Sequence, residues 1–163
     1  MNADDFVQRY GGIYEHSPWV AERVNLLLED ATPDTELLVR LMADCVDNAS
    51  VDTQLELIRA HPDLAGKAQV AGELTADSTE EQSKAGLDQC TADEFERFQS
   101  LNDSYKEKFG FPFIMAVRES NRSQILDAFA SRLDNDYNAE FETALQEIHK
   151  IARLRLTALE DSQ

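Results

Sequence analysis

Apolar positions recur every three or four residues along nearly the whole chain, the period of an α-helix with one buried face. Leu37, Leu41 and Cys45 share a face, as do Val51, Leu55 and Ile58. Phe95, Phe98, Tyr105 and Phe109 form an aromatic stripe, and Tyr137, Phe141, Leu145, Ile148 and Ala152 line a last helix before Leu159. No run alternates strictly, so a sheet is not expected. Start signals agree: Thr32-Pro33 reads as an N-cap with proline at the first helical position. Thr91 with Glu94 and Asn121 with Gln124 read as capping boxes. Pro62 and Gly110 are stops. The predicted helices cover 3–9, 18–29, 33–48, 50–60, 78–88, 91–109, 121–133 and 136–160, with a short apolar turn or helix over 64–72. The expected fold is all-α, a single-domain helical bundle of about eight to nine helices over residues 1–163.

Composition narrows the function more than the fold. Thirty-two acidic residues against fifteen basic ones give a formal charge of −17, which opposes binding to nucleic acid or an anionic membrane. Only five of the basic residues are lysines, which fits either a high-salt cytoplasm or an ordinary acidic bacterial protein. No signal peptide, membrane-length apolar run or lipidation box is evident, so cytoplasm is the expected location. Cys45 and Cys90 are too few for a disulfide framework; Cys45 is expected in the core and Cys90 partly exposed. His16, His61 and His149 show no metal-ligand spacing, so no metal is expected. His16 and His149 read as structural or surface groups.

Three segments break the helical grammar, and such breaks tend to mark functional sites. In Arg59-Ala-His-Pro-Asp-Leu-Ala-Gly66, Pro62 pushes His61 out of helical geometry at a helix C-terminus, where a protonated imidazole is favoured. That suits a proton donor, although from spacing alone a helix C-terminal histidine making a local hydrogen bond is the plainer reading. Ser78 and Glu81 match a capping box, and a helix start also offers free amides to a polar ligand beside Gln82. Phe109-Gly-Phe-Pro-Phe-Ile114 carries core aromatics, yet Pro112 forces an extended backbone whose N–H and C=O groups need partners before Arg118. Arg118 offers a planar fork for a carboxylate. Lys106, Lys108 and Arg118 gather near the third segment and Arg59, His61 and Lys67 near the first. In so acidic a chain, only such local cations can attract an anion across a screening distance of about 8–10 Å.

Together these strings resemble the OHCU decarboxylase family, OHCU being 2-oxo-4-hydroxy-4-carboxy-5-ureidoimidazoline. The matching runs are His61-Pro-Asp-Leu-Ala-Gly66, Ser78-x-x-Glu81-Gln82 with Ala85-Gly86-Leu87, and Phe109-Gly-Phe-Pro-Phe-Ile114 leading to Arg118. Leu101-Asn-x-x-Tyr105-Lys and Ile151-Ala-x-Leu-Arg-Leu156 match too, and the likeness spans essentially the whole chain. The resemblance implies an all-helical homodimer without metal or organic cofactor, acting on a small ureido-imidazoline to give (S)-allantoin. It implies His61, Glu81 and Arg118 as catalytic residues. Substrate binding would fall to Pro62, to Ser78, Thr79, Glu80, Glu81 and Gln82, to Phe113, Ile114, Met115, Ala116 and Val117, and to Arg118. The competing readings are a non-catalytic helical binding module and another ureide enzyme, such as a metal-dependent hydrolase.

Overall fold

The computed structural model describes residues 2–29, 31, 33–65, 74–118 and 120–161. Among these, eight α-helices and one 3-10 turn account for the regular structure, and no strand occurs. They are α1 (Ala3–Tyr10), α2 (Trp19–Leu28), α3 (Thr35–Asp47), α4 (Val51–Arg59), α5 (Ala76–Lys84), the turn Leu87–Gln89, α6 (Ala92–Phe109), α7 (Arg122–Leu133) and α8 (Tyr137–Asp161). The all-α expectation is met. Residues 64–65 form a turn, and the rest of the predicted 64–72 element lies outside the described residues, as does Lys67.

The chain divides into two compact units, Met1–Ala60 with Ile148–Gln163, and His61–Glu147. In the first, α1 packs on α2 and α2 on α3. Asn2, Asp34 and Ser50 cap α1, α3 and α4, each accepting a backbone N–H three residues on. The Thr32-Pro33 start is therefore corrected: Asp34 places a carboxylate on the Leu37 N–H at 2.8 Å, and the helix begins after it. The buried line of α3 is Leu38, Met42 and Val46, one residue on from the predicted face, and Leu37, Leu41 and Cys45 flank it half-buried. Val51, expected in the core, is exposed, while buried Gln54 donates to the Val46 and Asp47 carbonyls at the end of α3. Arg155 pairs with Glu15 at 2.9 Å, both nearly fully buried, and also donates to the Gly12 and Ile13 carbonyls. His149 is structural here: its ring nitrogens meet the Tyr14 hydroxyl at 2.8 Å and the Asp47 carboxylate at 2.9 Å.

In the second unit, Tyr105, Phe109, Phe111, Phe113 and Phe129 form one aromatic core. Both predicted capping boxes are present, at Thr91–Glu94 and Asn121–Gln124, and Gly110 ends α6 with φ 76°. Along α8 the buried residues are Glu140 and Ala144 in this unit, rather than Tyr137, Phe141 and Leu145, and Ile148, Ala152 and Leu156 in the first. A carboxylate can take the core position because three donors meet it. Tyr105 donates at 2.6 Å, and Arg132 and Asn135 each at 2.9 Å.

Candidate active site

His61 directly follows Ala60, the residue that closes α4, and is 7% exposed; Pro62 beside it is half-buried. The three residues after Pro62 are held by side chains from two helices. From α5, Gln82 Oε1 accepts the Ala65 N–H at 3.0 Å and Nε2 donates to the Asp63 carbonyl at 3.2 Å. From α6, Gln99 donates to the Ala65 carbonyl at 2.7 Å and Asn102 to the Leu64 carbonyl at 3.0 Å, while Lys106 meets the Asp63 carboxylate at 2.7 Å. This many bonds lets Ala65 keep a φ of 51°, which a residue with a Cβ seldom adopts.

The second segment starts earlier than expected. Thr75, not Ser78, is the N-cap: its hydroxyl accepts the Ser78 N–H at 3.2 Å, so α5 begins at Ala76. Ser78 is then inside the first turn and buried, and the capping box with Glu81 does not form. Nor does the helix reach residue 88. It stops at Lys84, because Gly86 at φ 81° turns the chain, and a Cβ there would come within 3.1 Å of Arg122 Nη1. Arg122 locks that turn, donating to the Gly86 carbonyl and to Glu94, each at 3.0 Å. Ser78, Glu81 and Gln82 face inward together, whereas Thr79 and Glu80 are exposed. Thr79 bonds back to the Thr75 carbonyl. Glu80 pairs with Lys84 at 2.9 Å, and that bond, then the Lys84 and Arg118 charges, hold its carboxyl below the usual range.

In the third segment, residues 112–117 have no regular structure. Phe113, Ile114 and Val117 are buried, and Met115 and Ala116 half-buried. Several of its backbone groups have protein partners, which sequence reasoning did not foresee. Arg132 Nη1 donates to the Ile114 carbonyl, Glu147 accepts the Ala116 N–H at 3.2 Å, and the Val117 carbonyl accepts from Ser120 at 2.9 Å. The Arg132 guanidinium also lies 4.4 Å from the Phe113 ring centroid, so it steadies the segment by two routes.

The segments converge in pairs. Gln82 ties the helix turn bearing Glu81 to the stretch that begins at His61. Arg118 Nη2 stands 3.8 Å from Glu81 Oε2, with the two side chains 17% and 11% exposed. That separation is an ion pair but too long for a hydrogen bond. Arg118 Nε is buried and has no hydrogen-bond partner among the described residues. A guanidinium held by charge, with a donor uncommitted, can grip a carboxylate. Of the other cations expected to help, Lys106 is committed to Asp63 and Lys108 to the Leu133 carbonyl at the end of α7. A cleft of about 560 Å³, lined by Ala65, Leu87, Asp88, Cys90, Thr91, Ala92 and Phe95, contains none of the predicted site residues. Among the described residues no group of three or more His, Cys, Asp and Glu side chains could hold a metal ion. None of the helices is long and apolar enough to cross a membrane.

The family model described as OHCU decarboxylase matches residues 1–157. The chain is 45% identical to the 2-oxo-4-hydroxy-4-carboxy-5-ureidoimidazoline decarboxylase of Haloferax volcanii, over 96% of this chain and 89% of that protein. Its fold matches a crystal structure of (S)-allantoin synthase with a TM-score of 0.77 and 34% identity, covering 98% of this chain but about half (51%) of that one. It also matches an OHCU decarboxylase crystallised in the presence of (S)-allantoin, with a TM-score of 0.68 and 26% identity, over 86% of this chain and 89% of that one. With the family match running nearly from end to end, the chain belongs to the OHCU decarboxylase family and is a carboxy-lyase.

Proposed function

We propose that this chain converts OHCU to (S)-allantoin and CO₂ in urate breakdown, with His61, Glu81 and Arg118 as its catalytic residues. Breaking the bond between the ring carbon and its carboxylate leaves an electron pair on that carbon. Many decarboxylases borrow a sink from a cofactor. The conjugated ring of OHCU can accept the pair itself, as an enediol-like species, and a proton then adds at the neighbouring carbon. The protein therefore has to orient the carboxylate, stabilise the developing charge and deliver one proton to one face.

The observation that carries this reading is the Arg118 guanidinium, whose Nη2 faces Glu81 at ion-pair distance while its buried Nε is uncommitted among the described residues. Arg118 holds and orients the departing carboxylate; Glu81 keeps the guanidinium aimed and sets protonation around it. His61, just before a stretch held by side chains of both α5 and α6, supplies the proton, and its fixed position makes the product one enantiomer. Ser78 and Gln82 face the ureido and ring amides. Pro62 and the 113–117 backbone bound the site through groups not already engaged, and Thr79 and Glu80 border it from outside.

The same reading takes residues 1–163 as one domain of a cytoplasmic homodimer that needs no cofactor. Neighbouring Leu26 and Leu27, 76% and 64% exposed on α2, support an apolar contact of that kind. Light scattering that returned the mass of one 18.4 kDa chain would remove the dimer. The activity is tested by generating OHCU enzymatically from urate and following circular dichroism. The expected result is one allantoin enantiomer rising faster than the spontaneous reaction, with His61→Ala lowering kcat by about 10²–10⁴-fold. Racemic product at the spontaneous rate would reject it.

A further inference from the structure

Three polar side chains on α6 hold three consecutive residues, in reverse order. Gln99 takes Ala65, Asn102 takes Leu64 and Lys106 takes Asp63. Positions i, i+3 and i+7 lie on one stripe of a helix, so the stripe and the segment run antiparallel, rung by rung. Seven residues of helix rise about 10 Å, and two extended steps of chain span at most about 7 Å. The long lysine at the outer, exposed rung covers the difference. The middle rung is different in kind. Asn102 is 2% exposed, and its Oδ1 is buried without a hydrogen-bond partner among the described residues. A buried amide with half its capacity unmet serves stability worse than an apolar side chain of similar size. What the amide supplies is direction: a donor aimed at one carbonyl, in a medium where such a bond is strong.

We propose that Asn102 is a positioning residue, which through the Leu64 carbonyl sets where the His61 imidazole sits. This rests on the role given to His61 above. Leu64 is three residues from His61, and the ring of Pro62 between them removes one of the few torsions that could absorb a displacement. A shift at Leu64 is therefore passed to His61.

The test compares Asn102→Asp, which keeps size but turns a carboxylate oxygen toward the Leu64 carbonyl, with Gln99→Leu at the half-buried outer rung, both in the full-length chain. Turnover of OHCU, product circular dichroism, thermal midpoint and the NMR titration of the His61 imidazole are read for each; the His61→Ala spectrum assigns that signal. The expected result is kcat lower by on the order of 10- to 100-fold in Asn102→Asp, with KM within about threefold and a loss of enantiomeric purity. The His61 resonances and titration midpoint should move in both variants, less in Gln99→Leu. A folded Asn102→Asp with the parent kcat, a single enantiomer and an unmoved His61 signal overturns the proposal. Should Asn102→Asp not fold, Asn102→Leu, which removes the donor without adding a charge, is read in its place, and the parent kcat, a single enantiomer and an unmoved His61 signal in that variant overturn the proposal equally. The NMR readout needs no substrate, so a parent chain inactive on OHCU would reject the function proposed above while the ladder is still judged by the imidazole.

Discussion

Glu81 Oε2 and Arg118 Nη2 face each other across 3.8 Å with both side chains largely buried, close enough to attract and too far to consume a hydrogen bond. The guanidinium is thereby held in place while keeping donors for a second anion. A lysine at this position would keep the charge and the attraction to Glu81 but lose the planar fork. Arg118→Lys is expected to lower kcat/KM by on the order of 10- to 100-fold, the equivalent of about one charge-assisted hydrogen bond. Its thermal midpoint should stay within about 4 °C of the parent's. Parent-like steady-state kinetics in this variant would mean that charge alone suffices.

Moving the α5 cap from Ser78 to Thr75 separates stability from catalysis in a way that a Ser78–Glu81 capping box would not have allowed. Thr75→Ala removes the cap and should cost about 1 kcal/mol, or roughly 2–4 °C, with kcat changed by less than about threefold. Glu81→Gln keeps the cap and the side-chain length and should do the reverse. It should cost about 10²-fold or more in kcat for a smaller change in thermal midpoint than Thr75→Ala produces. Thermal melts and initial rates on the same preparations decide it. Equal damage to both properties in both variants would tie Glu81 to folding after all.

How far the sequence reveals this site depends on the kind of signal each residue leaves. His61, Pro62 and the 109–118 segment were legible because proline and glycine interrupt a regular period, and Thr91–Glu94 and Asn121–Gln124 because capping chemistry is local. Thr75 was missed because Ser78 offers the same local pattern three residues later, and only the backbone decides between them. Asn102 left a trace: Phe98, Asn102, Tyr105 and Phe109 follow one buried helical stripe, so an amide stands where a hydrophobic side chain is expected. Glu140 sits in the same way on the stripe of α8. What no local pattern contains is the partner: Leu64 lies 38 residues before Asn102, and Ile114 lies 18 before Arg132. The face of α3 and the first half of that of α8 lie one residue from the expected line because neighbouring lines are both apolar enough to fit, and in α8 the paired Glu140 broke the tie, while Ile148 and Ala152 are buried as expected.

Two buried tyrosines set an alkaline limit on stability. Burial, and then the neighbouring Asp47 and Cys45, push the Tyr14 phenol well above its ordinary range. Burial and the hydrogen bond to Glu140 do the same to Tyr105. The folded chain therefore holds these protons more tightly than the unfolded chain, whose tyrosines ionise near about 10. Stability from these groups is complete below that pH and is lost as pH rises beyond it, because the unfolded state gives up its protons first. Thermal midpoints should be level from neutrality to about pH 9 and fall above about 10. Tyr14→Phe should lessen the fall. An alkaline limb of unchanged steepness in that variant would assign it to other groups.

The formal charge of −17 makes salt the last variable with a predictable sign. Thirty-two acidic and fifteen basic residues leave many carboxylates facing other carboxylates, and compaction brings them closer than in the unfolded chain. Raising KCl from 0.1 M to 1 M shortens the screening length from about 10 Å to about 3 Å, which removes most of that repulsion. The same salt weakens exposed pairs such as Arg153–Glu36 and Lys84–Glu80. Each of these contributes only about 0–1 kcal/mol, so relief of repulsion should win. The pairs Arg155–Glu15 and Arg132–Glu140 are shielded by burial and should not respond. The thermal midpoint is therefore expected to climb by several degrees across that range of KCl, a salt chosen over sulfate because sulfate strengthens apolar burial on its own. A midpoint that stays level or drops would show that the acidic surface is already neutralised by its own local pairs.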